Sequence, residues 1–320
     1  MSVVNRHRFW CFSAIVLSAA GLASAGELPS VLPSCAAFHA DSNLVTVPVS
    51  VFDSQNRVVN HLDPKYFKLL EDGVEQRITV GSDDTPVSVG FVFDTSASMG
   101  TKLDLARQAV AEFLDMANPE DEFFLLPFDS QPGAVVGFTG RQEEILDQLA
   151  RARPGGTTAM LDAIQAAFLT MRKARYARRA VIIISDGGDN HSRATKAEIL
   201  RMAREANAQV YALGTFEPPV VRHRTVEEFT GPELLATIAE QSGGRSYPVR
   251  KWTDITDAAI RIGFELRNQY LIEYHPTNQN WNGLYRRIGV EVEAPGFSQV
   301  RVYWRQGYYA AAAICGMPTS

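Results

Sequence analysis

Three oxygen-bearing side chains stand at alternate positions in this 320-residue chain: Asp94, Ser96 and Ser98, within G-F-V-F-D-T-S-A-S-M-G over residues 90–100. Small residues between them let one tight turn aim all three at a single point. Carboxylate and hydroxyl oxygens are hard ligands, suited to magnesium, manganese or calcium rather than zinc. The same residue types also cap helix N-termini, and this stretch by itself supports both readings equally. An apolar run, residues 87–93, precedes it and a helical pattern from Lys102 follows. That places the oxygens on the turn between a buried strand's carboxyl end and a helix start, where ligands bind in open α/β sheets.

Two distant segments repeat the arrangement. Gly155-Gly156-Thr157-Thr158 is a glycine turn that opens another helical pattern. Ile182-Ile183-Ile184-Ser185-Asp186-Gly187 is a β-branched run that ends in an aspartate. Each puts an oxygen ligand at the edge of what should be the same sheet. The set resembles the von Willebrand factor type A domain and its metal-ion-dependent adhesion site, in which D-x-S-x-S is followed by a threonine and then an aspartate. The resemblance implies that Asp94, Ser96, Ser98, Thr158 and Asp186 are the metal ligands; the family's G-G-x-T pattern aligns Thr158 rather than Thr157. The implied cofactor is a divalent cation, Mg2+ first, with Mn2+ or Ca2+ as alternatives. The implied partner is a protein or other acidic ligand whose carboxylate completes the coordination. Asp94→Ala is then expected to abolish metal binding with little loss of fold.

The elements around these segments alternate. Strand patterns at 87–93, 122–128, 134–138, 180–185 and 209–214 are interleaved with helical patterns at 102–116, 142–152, 159–174, 196–207 and 232–241. A strand through Tyr247 and a helix at 253–266 complete the series, which predicts a mostly parallel, doubly wound sheet. The basic stretch 171–179 is expected to be a solvated helix end, where cations suit the C-terminal dipole. Residues 216–231 form a long connection at the metal edge, with Pro218, Pro219, Arg222 and Arg224, and are expected to select the partner.

On both sides of this block the pattern has period two. Val45, Val47, Val49 and Val51 alternate with polar residues, with Pro48 suggesting an edge or a bulge. Strands at 66–70 and 76–80 follow. After residue 266, strands around Tyr270–Tyr274, 288–292 and 300–304 have no helices between them. Each group has an apolar face with nothing local to cover it, so the two groups are expected to pack together. The fold class is therefore α/β, with a type A sheet inserted in a split antiparallel β-sandwich built from the N- and C-terminal segments. The expected boundaries are a signal peptide at 1–25, a linker at 26–43, β-domain halves at 44–84 and 267–310, the type A domain at 85–266 and a tail at 311–320. Two further motifs, Y-F-K-L-L-E-D-G-V-E-Q over 66–76 and Q-Y-L-I-E-Y-H-P over 269–276 with later Gly283 to Arg287 and Gly307-Tyr308-Tyr309, resemble bacterial secreted proteins related to the type A family.

Arg6 and Arg8 precede an apolar stretch, residues 9–23, and Ala23-Ser24-Ala25 supplies a cleavage pattern after Ala25. The stretch is shorter than the roughly 20 residues of a membrane-spanning helix, so an exported chain without a stable membrane span is expected. Loss of its two arginines takes the net charge from −5 to −7. A mildly acidic chain argues against nucleic acid as partner. Cys35 and Cys315 remain after cleavage, a pairable number in an oxidising compartment. The sequence holds no G-x-S-x-G elbow, no phosphate-binding G-x-x-x-x-G-K and no H-E-x-x-H. The expected function is therefore a non-enzymatic binding module. The alternative is a metal-dependent enzyme or a non-catalytic subunit of a cell-envelope complex.

Overall fold

The computed structural model describes residues 44–82, 85–186, 188–215, 226–249 and 251–310. Ala25, Cys35, Cys315 and residues 216–225 lie outside the described residues. A six-stranded sheet organises the centre, in the order β10 (Arg245–Val249), β9 (Gln209–Thr215), β8 (Arg178–Ile184), β5 (Val87–Asp94), β6 (Glu122–Phe128) and β7 (Val136–Thr139). All neighbours are parallel except the β6–β7 pair. Every residue of β5 is buried, which requires cover on both faces. Val89, Phe91, Phe93, Ile182 and Ile184 point into a core closed by α1 (Leu103–Asp115), α2 (Gln142–Arg151) and α6 (Ile255–Arg267). Val92, Val181, Ile183 and Val210 face α3 (Met160–Met171), α4 (Lys196–Glu205) and α5 (Val226–Ser242). Gly90 has no side chain because the Phe124 ring fills the space: a Cβ there would lie 2.1 Å from Cζ.

The sandwich has two four-stranded sheets. One runs β13 (Val300–Trp304), β1 (Val45–Asp53), β11 (Tyr270–Tyr274), β4 (Ile78–Ser82). The other runs β14 (Gly307–Tyr309), β12 (Tyr285–Val292), β2 (Phe67–Glu71), β3 (Val74–Glu75). Both mix strands from the two ends of the chain, and Val47, Val49, Leu69, Ile272 and Ile288 share one core. β4 leads into the inserted domain, and β11, which follows it, pairs antiparallel with β4. The chain therefore enters and leaves the insertion at neighbouring points.

The motifs at 66–76 and 269–309 meet inside this sandwich. Glu71 and Arg286 form a buried ion pair at 3.1 Å, their side chains 2% and 3% exposed. Tyr274 and Tyr308 donate to Glu71 Oε2 at 2.8 and 2.7 Å. Arg286 also donates to the carbonyls of Asn278 and Asn280 and lies over the Trp281 ring. A buried pair is tolerable only when such partners replace lost hydration. Here they also lock the N-terminal strands to the C-terminal ones.

Polar contacts join the inserted domain to the sandwich. Arg178, buried at the base of β8, donates to the Thr85 carbonyl at 2.6 Å and to the Leu266 carbonyl, at the incoming and outgoing chain. Arg245 stacks on Phe52 and Tyr303 of the sandwich and on Tyr247 of β10. Gln269 donates to Ser50, Gln209 and Tyr211. Beneath them Glu265 is fully buried and accepts from the hydroxyls of Tyr211 and Tyr247.

Four local expectations change. The stretch 171–179 is not a helix: α3 ends at Met171, Arg172 and Lys173 are solvated at its end, and Arg178 enters β8 as the buried clamp just described. The last helix before β10 begins at Val226, not near 232, with Pro232 inside it, so part of the expected long connection is helical. Pro48 lies in a central strand, yet β13 joins β1 only from Val49 onward, so at Pro48 the strand has β11 alone as neighbour. Two short strands, β3 and β14, extend the sandwich beyond the expected set.

Two outcomes follow. Glu71→Ala leaves Arg286 buried without its counter-charge and should cost about 3–5 kcal/mol in denaturant unfolding; a loss under 1 kcal/mol, near that of an exposed pair, contradicts this. Burial raises the Glu265 carboxyl above its ordinary 4.5, while Arg245 and hydrogen bonds from Tyr247, Ser50 and Tyr211 oppose the shift. The folded state therefore keeps this proton to higher pH than the unfolded chain. The resulting stability is complete below the unfolded value and is lost as pH rises through the folded one. Glu265→Gln should flatten the fall in urea midpoint as pH rises above the ordinary carboxylate range; equal slopes in both proteins contradict this.

Candidate functional site

The carboxyl ends of β5 and β8 are adjacent, with Phe93 paired to Ile184. The next residues along, Asp94 and Ser185, are joined directly: Ser185 Oγ donates to Asp94 Oδ2 at 2.6 Å. Asp94 Oδ1 accepts from the Ser96 N–H at 2.8 Å, which turns the chain sharply out of the strand. Asp94 is completely buried and Ser96 nearly so, whereas Ser98 is exposed. Beyond them a 3-10 turn, Ala97–Met99, leads to α1. Neither Asp94 nor Ser98 caps that helix; Lys102 holds the N-cap position, without a side-chain hydrogen bond.

The hydroxyls of Ser96 and Ser98 are 3.0 Å apart, and Ser98 Oγ donates to Asp186 Oδ1, also at 3.0 Å. These three oxygens face one cleft of about 340 Å3, lined also by Thr158, Gly156, Asn190 and Lys102. The glycine turn is tied to the first loop by two backbone bonds, Gly155 N–H to the Thr95 carbonyl (2.8 Å) and Ala97 N–H to the Gly156 carbonyl (3.2 Å). Gly156 has φ of +72°, and a Cβ on it would lie 2.5 Å from Ser130 Oγ, so only glycine fits this turn. Thr158 is held from the far side: its N–H donates to Asn190 Oδ1, and its carbonyl accepts the N–H groups of Asn190 and His191.

Ser96, Ser98, Thr158 and Asp186 thus line one cleft, with Asp94 directly beneath. Burial pushes the Asp94 carboxyl from 3.8 up to about 6, the nearby charge of Asp186 adding to it, against hydrogen bonds from Ser185 and Ser96. A cation in the cleft would offset that cost. Adjacent ligands of an octahedral cation with bonds of 2.0–2.1 Å are about 3.0 Å apart. The Ser96–Ser98 and Ser98–Asp186 separations match that edge, so the oxygen set fits a small hard cation. No cluster of three or more His, Cys, Asp or Glu able to hold a metal occurs among the described residues.

Sequence reasoning passed over three participants. Ser185 stands in the run that points to Asp186, and its role appears only when β8 lies beside β5. Lys102 ion-pairs with Asp186 Oδ2 at 2.7 Å and lies over the Trp252 ring, from a segment 150 residues away in sequence. Asn190 follows Asp186 by four residues and carries no motif signal of its own. A larger groove of about 620 Å3 lies between the sandwich and α6, but its lining among the described residues, including Phe52, Met116, Tyr247 and Phe264, contains no carboxylate.

Residues 89–188 match the family model of the von Willebrand factor type A domain. An uncharacterized protein of Borreliella burgdorferi is 22% identical over 180 residues, 50% of this chain and 52% of that one, so the chain spans about half the length of the relative it matches. Among solved structures, a von Willebrand factor type A protein from Catenulispora acidiphila is similar over 85% of this chain and 74% of its own, at 13% identity and a TM-score of 0.49. Proximal thread matrix protein 1 of the mussel byssus, solved with a zinc-occupied MIDAS motif, is similar over 61% of this chain and 49% of its own, at 17% identity and a TM-score of 0.49. The family match spans both Asp94 and Asp186, and this part of the chain is a von Willebrand factor type A domain.

Proposed function

We propose that this protein is an exported interaction module that takes a divalent cation in the Ser96–Ser98–Asp186 cleft and uses it to bind an acidic group of a partner protein. The observation that carries the reading is the series of three oxygens at 3.0 Å spacing on one wall of the cleft. Ser96, Ser98 and Asp186 supply that wall and Thr158 a further hydroxyl, while Asp94 adds charge from beneath and fixes the direction of Ser96. The carboxylates of Asp94 and Asp186 match a dication in charge, and hydroxyls add none, so a bound cation stays electrophilic toward a further carboxylate. Mg2+ fits the edge length best, with Mn2+ close to it. Export rests on the N-terminal pattern of Arg6, Arg8, the apolar stretch and Ala23-Ser24-Ala25. No helix among the described residues is long and apolar enough to cross a membrane.

Calorimetric titration with MgCl2 and MnCl2 tests the cation. Saturable one-site binding is expected, weakened roughly tenfold or more in Ser98→Ala and Asp186→Asn, because ligand number and charge set affinity at such sites. Equal affinities in wild type and both variants would remove the reading. The partner is tested by pull-down from exported proteins with and without EDTA, with Asp186→Asn as control; a partner retained equally in all three is not held through the cation.

Asp94 has a second, structural consequence that departs from the sequence expectation. Asp94→Ala leaves the buried Ser96 N–H without its acceptor and removes the bond that Ser185 makes across the strand tips. An orphaned buried donor costs about 1–3 kcal/mol. Asp94→Ala should therefore unfold at lower denaturant than wild type, while Asp94→Asn, which keeps an acceptor, loses less stability. Equal midpoints for wild type and Asp94→Ala would show that the pocket relaxes around the deletion.

A further inference from the structure

Among the described residues Lys102 is the one cation lining the cleft, and its position is set from three sides. Its N–H donates to the Met99 carbonyl at 2.8 Å and its carbonyl accepts from Ala106 at 3.0 Å, which fixes the base of the side chain at the start of α1. The ammonium lies 5.5 Å from the centroid of the Trp252 ring. It donates to Asp186 Oδ2 at 2.7 Å, and the two side chains are only 24% and 12% exposed. Among the described residues the buried indole Nε1 of Trp252 has no hydrogen-bond partner, and what Trp252 offers Lys102 is its ring face.

The two oxygens of Asp186 are therefore divided. Oδ1 faces the serine hydroxyls and Oδ2 faces the ammonium. We propose that Lys102 is a positioning residue that sets which cation the cleft accepts, by confining Asp186 to a single coordinating oxygen. The proposal rests on the reading of the cleft as a divalent-cation site. Calcium takes six to eight oxygens at about 2.3–2.6 Å and readily uses both oxygens of one carboxylate. Magnesium demands a near-ideal octahedron at about 2.0–2.1 Å. The bite of one carboxylate is narrower than an octahedral edge, so magnesium gains little from a second Asp186 oxygen. An ammonium held on Oδ2 thus denies calcium a ligand that magnesium does not need.

Charge alone makes a different forecast. Removing a positive group beside the cleft strengthens every dication, because the repulsion it relieves depends on charge and not on ion size. The ratio of the two affinities separates the effects.

Wild type, Lys102→Met, Lys102→Arg and Trp252→Leu are each titrated calorimetrically with MgCl2 and with CaCl2 at one ionic strength. Lys102→Met should bind both ions more tightly, with the calcium-to-magnesium affinity ratio rising about fivefold, the equivalent of one weak ion pair. Lys102→Arg keeps a cation on Oδ2 and should keep the wild-type ratio. Trp252→Leu leaves the charge but frees the ammonium, so the ratio should rise by a smaller factor. A Lys102→Met protein with the wild-type ratio, or one shifted toward magnesium, overturns the proposal while leaving the site reading in place. Far-UV circular dichroism checks the fold, and if Lys102→Met does not fold, Lys102→Gln decides by the same criterion. Wild type that binds neither ion overturns the site reading and this proposal with it.

Discussion

The bond between Ser185 Oγ and Asp94 Oδ2, 2.6 Å across the tips of two parallel strands, holds the cleft together. A buried carboxylate is costly, and here it is tolerated because each oxygen has a donor, one from β8 and one from its own turn. The same two bonds set the geometry. The Ser96 N–H is drawn down onto Asp94, so the Ser96 and Ser98 hydroxyls rise toward the cleft. Ser185 is drawn sideways onto Asp94, so Asp186 follows at the height of those hydroxyls. The glycine turn then closes from the third side through backbone bonds that no side chain could replace.

This precision depends on a rigid support. β5 is buried along its whole length between two helical layers. Phe124 occupies the space above Gly90, so packing leaves no freedom for the strand to slide. The loops can be irregular because the sheet beneath them is not.

The sandwich poses a separate problem, because neither end of the chain can close it alone. β1 and β11 pair across more than two hundred intervening residues, as do β2 and β12. Loop closure on that scale is entropically expensive, although its cost grows slowly with length. The inserted domain shortens the effective gap by bringing Thr85 and Leu266 to one arginine, Arg178. The Glu71–Arg286 pair then selects the register, since any slip would strand a buried charge. Arg245, stacked between aromatic rings of both parts, continues this polar seam around the outside.

Much of this was legible in the residues alone. The Val-Phe and Ile runs determined buried strands, and the period-two stretches on either side determined half-covered ones, because apolar spacing reports how many faces of an element need cover. The order of Asp94, Ser96, Ser98, Thr158 and Asp186 determined the oxygen set at one sheet edge, because a parallel sheet delivers successive strand ends to the same side. The basic stretch at 171–179 misled, because spacing cannot separate a cation that caps a helix from one that is buried as a clamp. Helix ends moved for the same reason: Pro232 suggests a start, yet α5 continues through it. Only tertiary structure decided that Ser185 completes Asp94, that Lys102 and Trp252 share Asp186, and that Glu71, Tyr274, Arg286 and Tyr308 converge on one point. Each of those contacts joins residues far apart in the chain, and local sequence carries the chemistry of a side chain but not the identity of what the fold places beside it.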